Sequence, residues 1–357
     1  MDMTLLDINL DEVAILDTYK SVIWTDRYSE SGDFEIYLPA SESILRTVKM
    51  DYYLANPDSD HVMIVEDIRI DTDSENGDYL TVSGRSLESI IDRRVIWGRL
   101  VVSGTPQEVI KTLLTSCIID PSDLSRKIDN FIFEESTDPT ITDLPTMQAQ
   151  YAGGNLYDII VRICTDHNIG FKITLNNSKQ FVFKLYAGVD RSYNQTENSY
   201  VVFAPEFDNL IDANYIESRT ALKTVAFVAG EGEGADRKFT TCGSTTETGM
   251  NRRELYVDAR DLSSDPGIEG GVVLTDEEYI AQLTQRGREK LAEHADIASF
   301  EGQAETRIMF KYGEDFFAGD IVQFADGYGH EAPARIVEVI TSDNEEGLSV
   351  YPTFKTI

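Results

Sequence analysis

The 357-residue sequence holds three cysteines, Cys117, Cys164 and Cys242, too few and too irregularly spaced for a disulfide scaffold. That usage fits assembly in a reducing compartment. No apolar run approaches the roughly 18 residues a membrane-spanning helix needs, so no membrane span is expected. Met1 to Leu10 has no basic stretch, and no secretory signal is expected there. Basic residues are scarce: 31 Lys and Arg stand against 63 Asp and Glu, a formal charge of −32. Phosphate affinity comes from Lys and Arg, so the balance argues against binding of nucleic acid or anionic lipid as the main activity. The four histidines, His61, His167, His294 and His330, fall in no H-E-x-x-H motif and at no zinc spacing. No G-x-S-x-G elbow is present, which leaves a hydrolase serine unsupported.

What is present suffices for a packed protein. Hydrophobic residues make up 41% of the chain and charged residues 26%, a balance that supports a core and argues against disorder. At about 150 residues per domain, two or three domains are expected.

The first hundred residues read as β. Val13 to Trp24 and Phe34 to Leu38 are strand-like, with Ser31-Gly32-Asp33 as a turn signal between them. His61 to Ile70 alternates apolar and polar residues, and Tyr79 to Val82 returns after a polar loop. Asn76-Gly77 suits the positive φ angles of such a hairpin. Ser86 is placed to cap a short helix with Leu87, Ile90 and Ile91 on one face. Thr105 and Glu108 form a capping box with Pro106 at the first helical position. Val109, Ile110, Leu113 and Leu114 supply that helix with its buried stripe. The spacing of Leu156, Ile159, Ile160 and Ile163 predicts a helix over 155–167, with His167 complementing the dipole at its end. Strands 171–175 and 181–186 pair across Asn176-Asn177. Residues 106–200 therefore read as a separate α+β unit.

Residues 201–260 return to β, with 222–229 the best strand. Thr275 and Glu278 cap a polar helix near 275–295, weakened by Gly287. Further strands are expected at 304–312, 321–324, 334–341 and 348–354. An internal echo links the two ends of the chain. Ile64-Val65-Glu66-Asp67-Ile68 recurs as Ile336-Val337-Glu338-Val339-Ile340, each followed by an acidic turn with Asn and Gly and a short return strand. Two readings stand: chance likeness of amphipathic hairpins, or a duplicated β-barrel module.

Candidate sites are weak. The run Asp71 to Gly77 resembles a calcium loop, but its glycine is one place late and Val82 stands where the closing Glu belongs. A solvated hairpin tip is the better reading. Gly230-Glu231-Gly232-Glu233-Gly234 follows a strand, yet it breaks the G-x-G-x-x-G spacing and sets glutamates where phosphates would sit. It reads as a flexible loop whose glycines permit close backbone approach. Arg93-Arg94 and Arg252-Arg253 read as ion-pairing or interface doublets. With 63 acids, glycosidase carboxylates remain open but no pair stands out.

Several blocks together resemble a siphophage tail-hub family. They are Trp24-Thr25-Asp26-Arg27-Tyr28 with Ser31-Gly32-Asp33-Phe34-Glu35, Leu80 to Arg94, Val228 to Gly234 with Asp236-Arg237, Arg253 to Asp261, and Asp315 to Val322. The family is similar to the N-terminal hub domain of tail-associated lysins and to baseplate hubs of contractile tails. The resemblance implies an α+β, mainly β fold. Two barrel-like β domains, 1–105 and 201–357 (with the helix near 275–295), would flank an inserted α+β domain at 106–200, with a helical linker.

It also implies a homotrimer at the virion tail tip, assembled in the host cytoplasm. Its partners would be the distal tail protein, the tape-measure protein and tail fibre or tip proteins. Three chains would offer six barrels to a hexameric tube. Acidic walls would let DNA pass without sticking. The chain stops at Ile357, just after the last strand, so a bare hub with no catalytic residues, cofactor or metal is expected. The rival expectations are a tail-associated cell-wall hydrolase and a receptor-binding module. Candidate interface loops carry Gly230, Gly232 and Gly234, and Asn76 and Gly77.

Overall fold

Apolar residues at alternate positions put most of the chain into strands. The computed structural model describes residues 1–72, 77–265, 273–304 and 309–357; Asn76 lies outside the described residues. Among these, thirteen strands from both ends of the chain form one sheet. Its order is Leu210–Ser218, Ile297–Ala304, Gly347–Thr356, Glu331–Asn344, Ser21–Arg27, Asp33–Pro39, Tyr79–Ser86, Val62–Asp71, Tyr53–Ala55, Met3–Leu6 and Glu12–Leu16. Ile321–Ala325 pairs with Glu331–Asn344 and carries Val202–Phe203 beside it. The α+β, mainly β expectation holds. The two β halves are open parts of a shared sheet, and no closed barrel forms among the described residues.

The halves repeat one strand order. In the first, Ser21–Arg27, Asp33–Pro39, Tyr79–Ser86, Val62–Asp71 and Tyr53–Ala55 are consecutive antiparallel neighbours. In the second, Leu210–Ser218, Ile297–Ala304, Gly347–Thr356, Glu331–Asn344 and Ile321–Ala325 follow the same sequence of antiparallel pairings. The echoed segments are thus matching strands. Each also bulges near the same point. Glu66 is left out between the pairs Val65↔Gly84 and Asp67↔Ser83. Val337 is left out between Ile336↔Phe354 and Glu338↔Thr353. Such a bulge bends the strand and increases its twist.

Ser21–Arg27 joins the halves by pairing with Glu331–Asn344, from Arg27↔Glu338 to Ser21↔Asn344. The N-terminal ammonium reinforces this seam, 2.8 Å from Asp343 Oδ2. Each half has its own core. Met3, Leu5, Val22, Trp24, Ile36 and Leu80 fill the first, and Phe203, Phe316, Phe324, Ile336 and Phe354 fill the second.

The region between them packs helices Pro106–Leu114 and Leu156–Asp166 with the strands Phe131–Glu134, Phe181–Tyr186 and Gly170–Leu175, and Arg99–Gly104 pairs with Met147–Ala152. Both predicted capping boxes form, Thr105 with Glu108 and Thr275 with Glu278. Ser86 does not cap the 3-10 helix Leu87–Arg93, because its Oγ accepts a hydrogen bond from Gly32 N at 2.8 Å.

A separate three-stranded sheet has Val225–Ala229 at its centre, antiparallel to Phe239–Gly243 and parallel to Glu254–Asp258. One face packs on helix Asp276–Ala292 through Ala226, Val228, Val257 and Leu283. Gly287 is required in that helix, since a Cβ there would strike Cys242 Sγ and come within 2.6 Å of Val228. The strand expected at 304–312 lies earlier, at Ile297–Ala304. Residues 305–308 lie outside the described residues, and Tyr312 makes only an isolated bridge to Phe316.

Candidate functional site

Two candidate loops sit on different sheets. Gly77 ends the tip of the hairpin between Val62–Asp71 and Tyr79–Ser86, with φ +92° and open space where a side chain would point. The Gly230 to Gly234 loop leaves the end of the three-stranded sheet and is tied down, contrary to the expectation of a flexible loop. A Cβ on Gly230 would lie 2.5 Å from Tyr279 Oη. That hydroxyl donates to Leu262 O and accepts from Glu231 N. Gly232, at φ +95°, passes so close to Asp236 that a side chain there would meet its carbonyl oxygen at 2.6 Å. Gly234 has φ +55° and free space around it. Arg237 folds back onto Gly230 O at 3.0 Å and pairs with Asp258. The structure therefore keeps the two loops apart, each at one end of its own sheet.

The residues it does bring together are others. Asp26, buried, accepts from Trp24 Nε1 at 3.1 Å, Ser59 Oγ at 3.0 Å and Tyr312 Oη at 2.7 Å. Three donors, one from its own strand and two from distant segments, satisfy one carboxylate, as a buried charge requires. Beside it, His61 Nδ1 lies 3.1 Å from Glu88 Oε1, which also accepts from Ile173 N at 2.7 Å. Burial opposes a charge on His61, but Glu88 and Asp26 outweigh it and raise its pKa to about 9. Burial likewise opposes the charge on Glu88, yet His61 holds that carboxyl below its ordinary range. The pair is an ion pair at neutral pH.

Tyr28 is the next contact outward. Its hydroxyl donates to Asn168 O at 3.0 Å, its ring meets Tyr186 edge-on at 5.2 Å, and the Arg335 guanidinium lies 5.1 Å above it. Gly170 and Gly319 press against the same ring, and a Cβ on either would enter it. Tyr28 N donates to Val337 O, the carbonyl of the bulged residue. Asp320, also buried, accepts from Arg191 Nε at 2.8 Å and Val189 N at 2.7 Å. Arg27 bridges Asp33 and Glu338, each at 2.6 Å. Together these contacts tie the two β halves to each other and to the region between them, and the Asp26 and His61 groups border a cavity of about 500 Å³, lined among others by Trp24, Tyr186 and Tyr312.

Sequence reasoning did not foresee this junction, because most of its partners are between 27 and 311 residues apart. A signal was present, however. Asp26, Arg27, Tyr28, Gly32, Glu88 and Asp320 all belong to the blocks that carry the family resemblance. Three of the five blocks thus meet in space at the junction, while the other two, Val228 to Gly234 with Asp236-Arg237 and Arg253 to Asp261, come together in the three-stranded sheet. The arginine doublets act structurally: Arg93 pairs with Asp51 and Arg252 with Glu254, while Arg94 and Arg253 donate to the carbonyls of Arg126 and Arg219. His167 closes its helix on Ile163 O. Among the described residues no group of three His, Cys, Asp or Glu side chains is placed to hold a metal ion. No helix among them is long and apolar enough to cross a membrane.

A model of the siphovirus ReqiPepy6 Gp37-like proteins matches residues 2–354, nearly the whole chain. The chain belongs to this siphovirus tail protein family. Comparison with curated proteins gives no match. Three solved structures share the fold of this tail protein. The 43 kDa tail protein of prophage MuSo2 from Shewanella oneidensis aligns with a TM-score of 0.59 at 11% identity, covering 99% of this chain and 98% of that one. The tail protein from Neisseria meningitidis MC58 gives 0.58 at 11% identity, over 99% and 96%. Prophage tail protein gp18 from Listeria monocytogenes EGD-e gives 0.56 at 14% identity, over 99% and 94%. At such identities the likeness is one of fold. It reaches across both β halves and the region between them, so the whole architecture of the tail protein is shared.

Proposed function

We propose that this tail protein is the hub of the tail tip. It forms a homotrimeric ring that joins the tail tube and distal tail protein to tip or fibre proteins. It holds the end of the tape-measure protein and lets DNA pass on ejection. The observation that carries this reading is the repeated strand order of the two halves within one sheet. Three chains, each offering two like-ordered halves, present six similar units, a number suited to docking under a sixfold tube. Among the described strands, Glu12–Leu16 and Leu210–Ser218 stand at the two ends of the sheet, each with one strand neighbour, and a neighbouring protomer can pair at such an edge. The role is structural. The buried carboxylates Asp26, Glu88 and Asp320 are engaged in hydrogen bonds and ion pairs that hold the junction together. At −32 per chain, a ring exposes an acidic lumen that repels phosphates and keeps DNA from adhering.

The test is native mass by light scattering over a range of concentrations, with electron microscopy of any particle found. A particle of three chain masses with a central opening is expected. A single chain at all concentrations, or product release from peptidoglycan, would count against the hub.

A further inference from the structure

The outer face of the three-stranded sheet is not built for water. Its inner face is covered by helix Asp276–Ala292, so the opposite face should alternate to polar side chains. Instead Phe227, Phe239 and Tyr256 stand there, 40%, 43% and 58% exposed. Phe227 and Tyr256 are directly paired across neighbouring strands. Phe227 and Phe239 stack at 5.1 Å with an 18° angle between their planes. Arg237 lies 5.8 Å from the Phe239 ring. Rings packed against each other in this way form an apolar ridge. Aromatic residues with arginine are the composition enriched at protein interfaces, and a contiguous exposed apolar patch marks one.

Charge indicates what can approach. Residues 219–260, which contain this whole sheet, carry seven Lys and Arg against six Asp and Glu. The rest of the chain carries 24 against 57. Two copies at −32 repel each other over most of their surfaces. The face of this sheet, near-neutral by this count, is where that repulsion is weakest, so an acidic part of another copy can approach it.

We infer that the Phe227, Phe239 and Tyr256 face is a docking surface for the acidic surface of a second copy of this chain. The contact is heterologous, since the near-neutral ridge meets a different, acidic part of its neighbour, and it is of the kind that closes into rings. The inference rests on the hub reading only in requiring a second copy.

Benzoylphenylalanine placed at position 256 of the full chain, with light scattering in parallel, tests it. Photocross-links from position 256 to an acidic segment of another copy are expected. The double variant Phe227→Ser with Tyr256→Ser should weaken association at least tenfold. A multi-chain particle with no cross-link between copies from position 256, and with association unchanged in the variant, overturns this face and leaves the ring intact. A single chain at every concentration overturns both. A cross-link from position 256 to a different tail protein in assembled tails overturns the choice of partner. The cross-linking readout stands even if the double variant fails to fold.

Discussion

At matching places in the two halves of the large sheet stand a glycine and a phenylalanine. Gly84 pairs with Val65 just before the Glu66 bulge, and Phe354 pairs with Ile336 just before the Val337 bulge. A Cβ on Gly84 would fall on the Ile64 carbonyl oxygen and lie 2.9 Å from Glu66 N. The first bulge therefore folds its backbone over the opposite strand. Its extra residue Glu66 turns to Arg85, at 2.8 and 3.0 Å, and Arg85 continues to Asp92. In the second half Phe354 is fully buried, with its ring 5.1 Å from both Phe203 and Phe324. There the bulged residue spends its carbonyl on Tyr28. Strand order and bulge are common to both halves, while the side chains at the bulge serve a surface ion-pair bridge in one and an aromatic core in the other. Pairing pattern is thus a more durable feature of this fold than residue identity.

Removing the aromatic filler should have the largest effect on this contrast. Phe354→Ala leaves a cavity among Phe203, Phe324 and Ile336, and a loss of about 3–5 kcal/mol is expected in denaturant unfolding. A loss below about 1 kcal/mol would mean that the second core collapses around the gap and is no more tightly packed than a surface sheet.

The first half of this comparison was readable in the sequence, and the second half only partly. The apolar content of 62–70 identified its hairpin because the pairing is local, although Val62 to Val65 do not alternate with polar residues: Val62 and Ile64 enter one core and Met63 and Val65 the other. The capping boxes at Thr105 and Thr275 were legible for the same reason, each closing within three residues. Local signals failed where a distant group competed. Ser86 has the look of a helix cap, but Gly32 N, 54 residues away, takes its hydroxyl. Asp26 and Tyr312 are 286 residues apart, so nothing near either predicts their hydrogen bond. The strand expected at 304–312 had apolar content, but the partner positions on Leu210–Ser218 and Gly347–Thr356 select Ile297–Ala304. The junction entered the sequence only as family blocks with no visible chemistry.

The junction gives the next effect, one that depends on pH. His61 is raised from 6.5 to about 9 with burial opposed by Glu88 and Asp26; Lys172 also faces it and favours the neutral form. The folded state thus holds its proton more tightly than the unfolded chain. That stabilisation is fully present below pH 6.5 and is lost as pH rises through 9. Glu88, held below 4.5, acts in the opposite sense, and its contribution is lost only as pH falls below that value. Melting temperature should therefore decline between pH 6.5 and 9. His61→Gln should flatten this slope and lower stability at pH 6.5 by on the order of 2–3 kcal/mol. An unchanged slope in the variant would assign the pH dependence to other groups and would separate the junction from the stability of the two halves.

The smallest effect returns to Gly84. Alanine adds one methyl group, yet at this place it meets backbone, which cannot rotate away as a side chain can. Gly84 can be relieved only if the strand Tyr79–Ser86 moves off the bulge, and that movement would pull Arg85 away from Glu66 and Asp92. A loss of about 1–3 kcal/mol is expected for Gly84→Ala, read in the same denaturant assay. Ser83→Ala, one residue along and half-buried, is the control and should cost well under about 1 kcal/mol. If Gly84→Ala were as mild as its control, the first bulge would have room to open. Its glycine would then reflect tolerance of a missing side chain, and the two halves would differ in composition without differing in how tightly their bulges are folded.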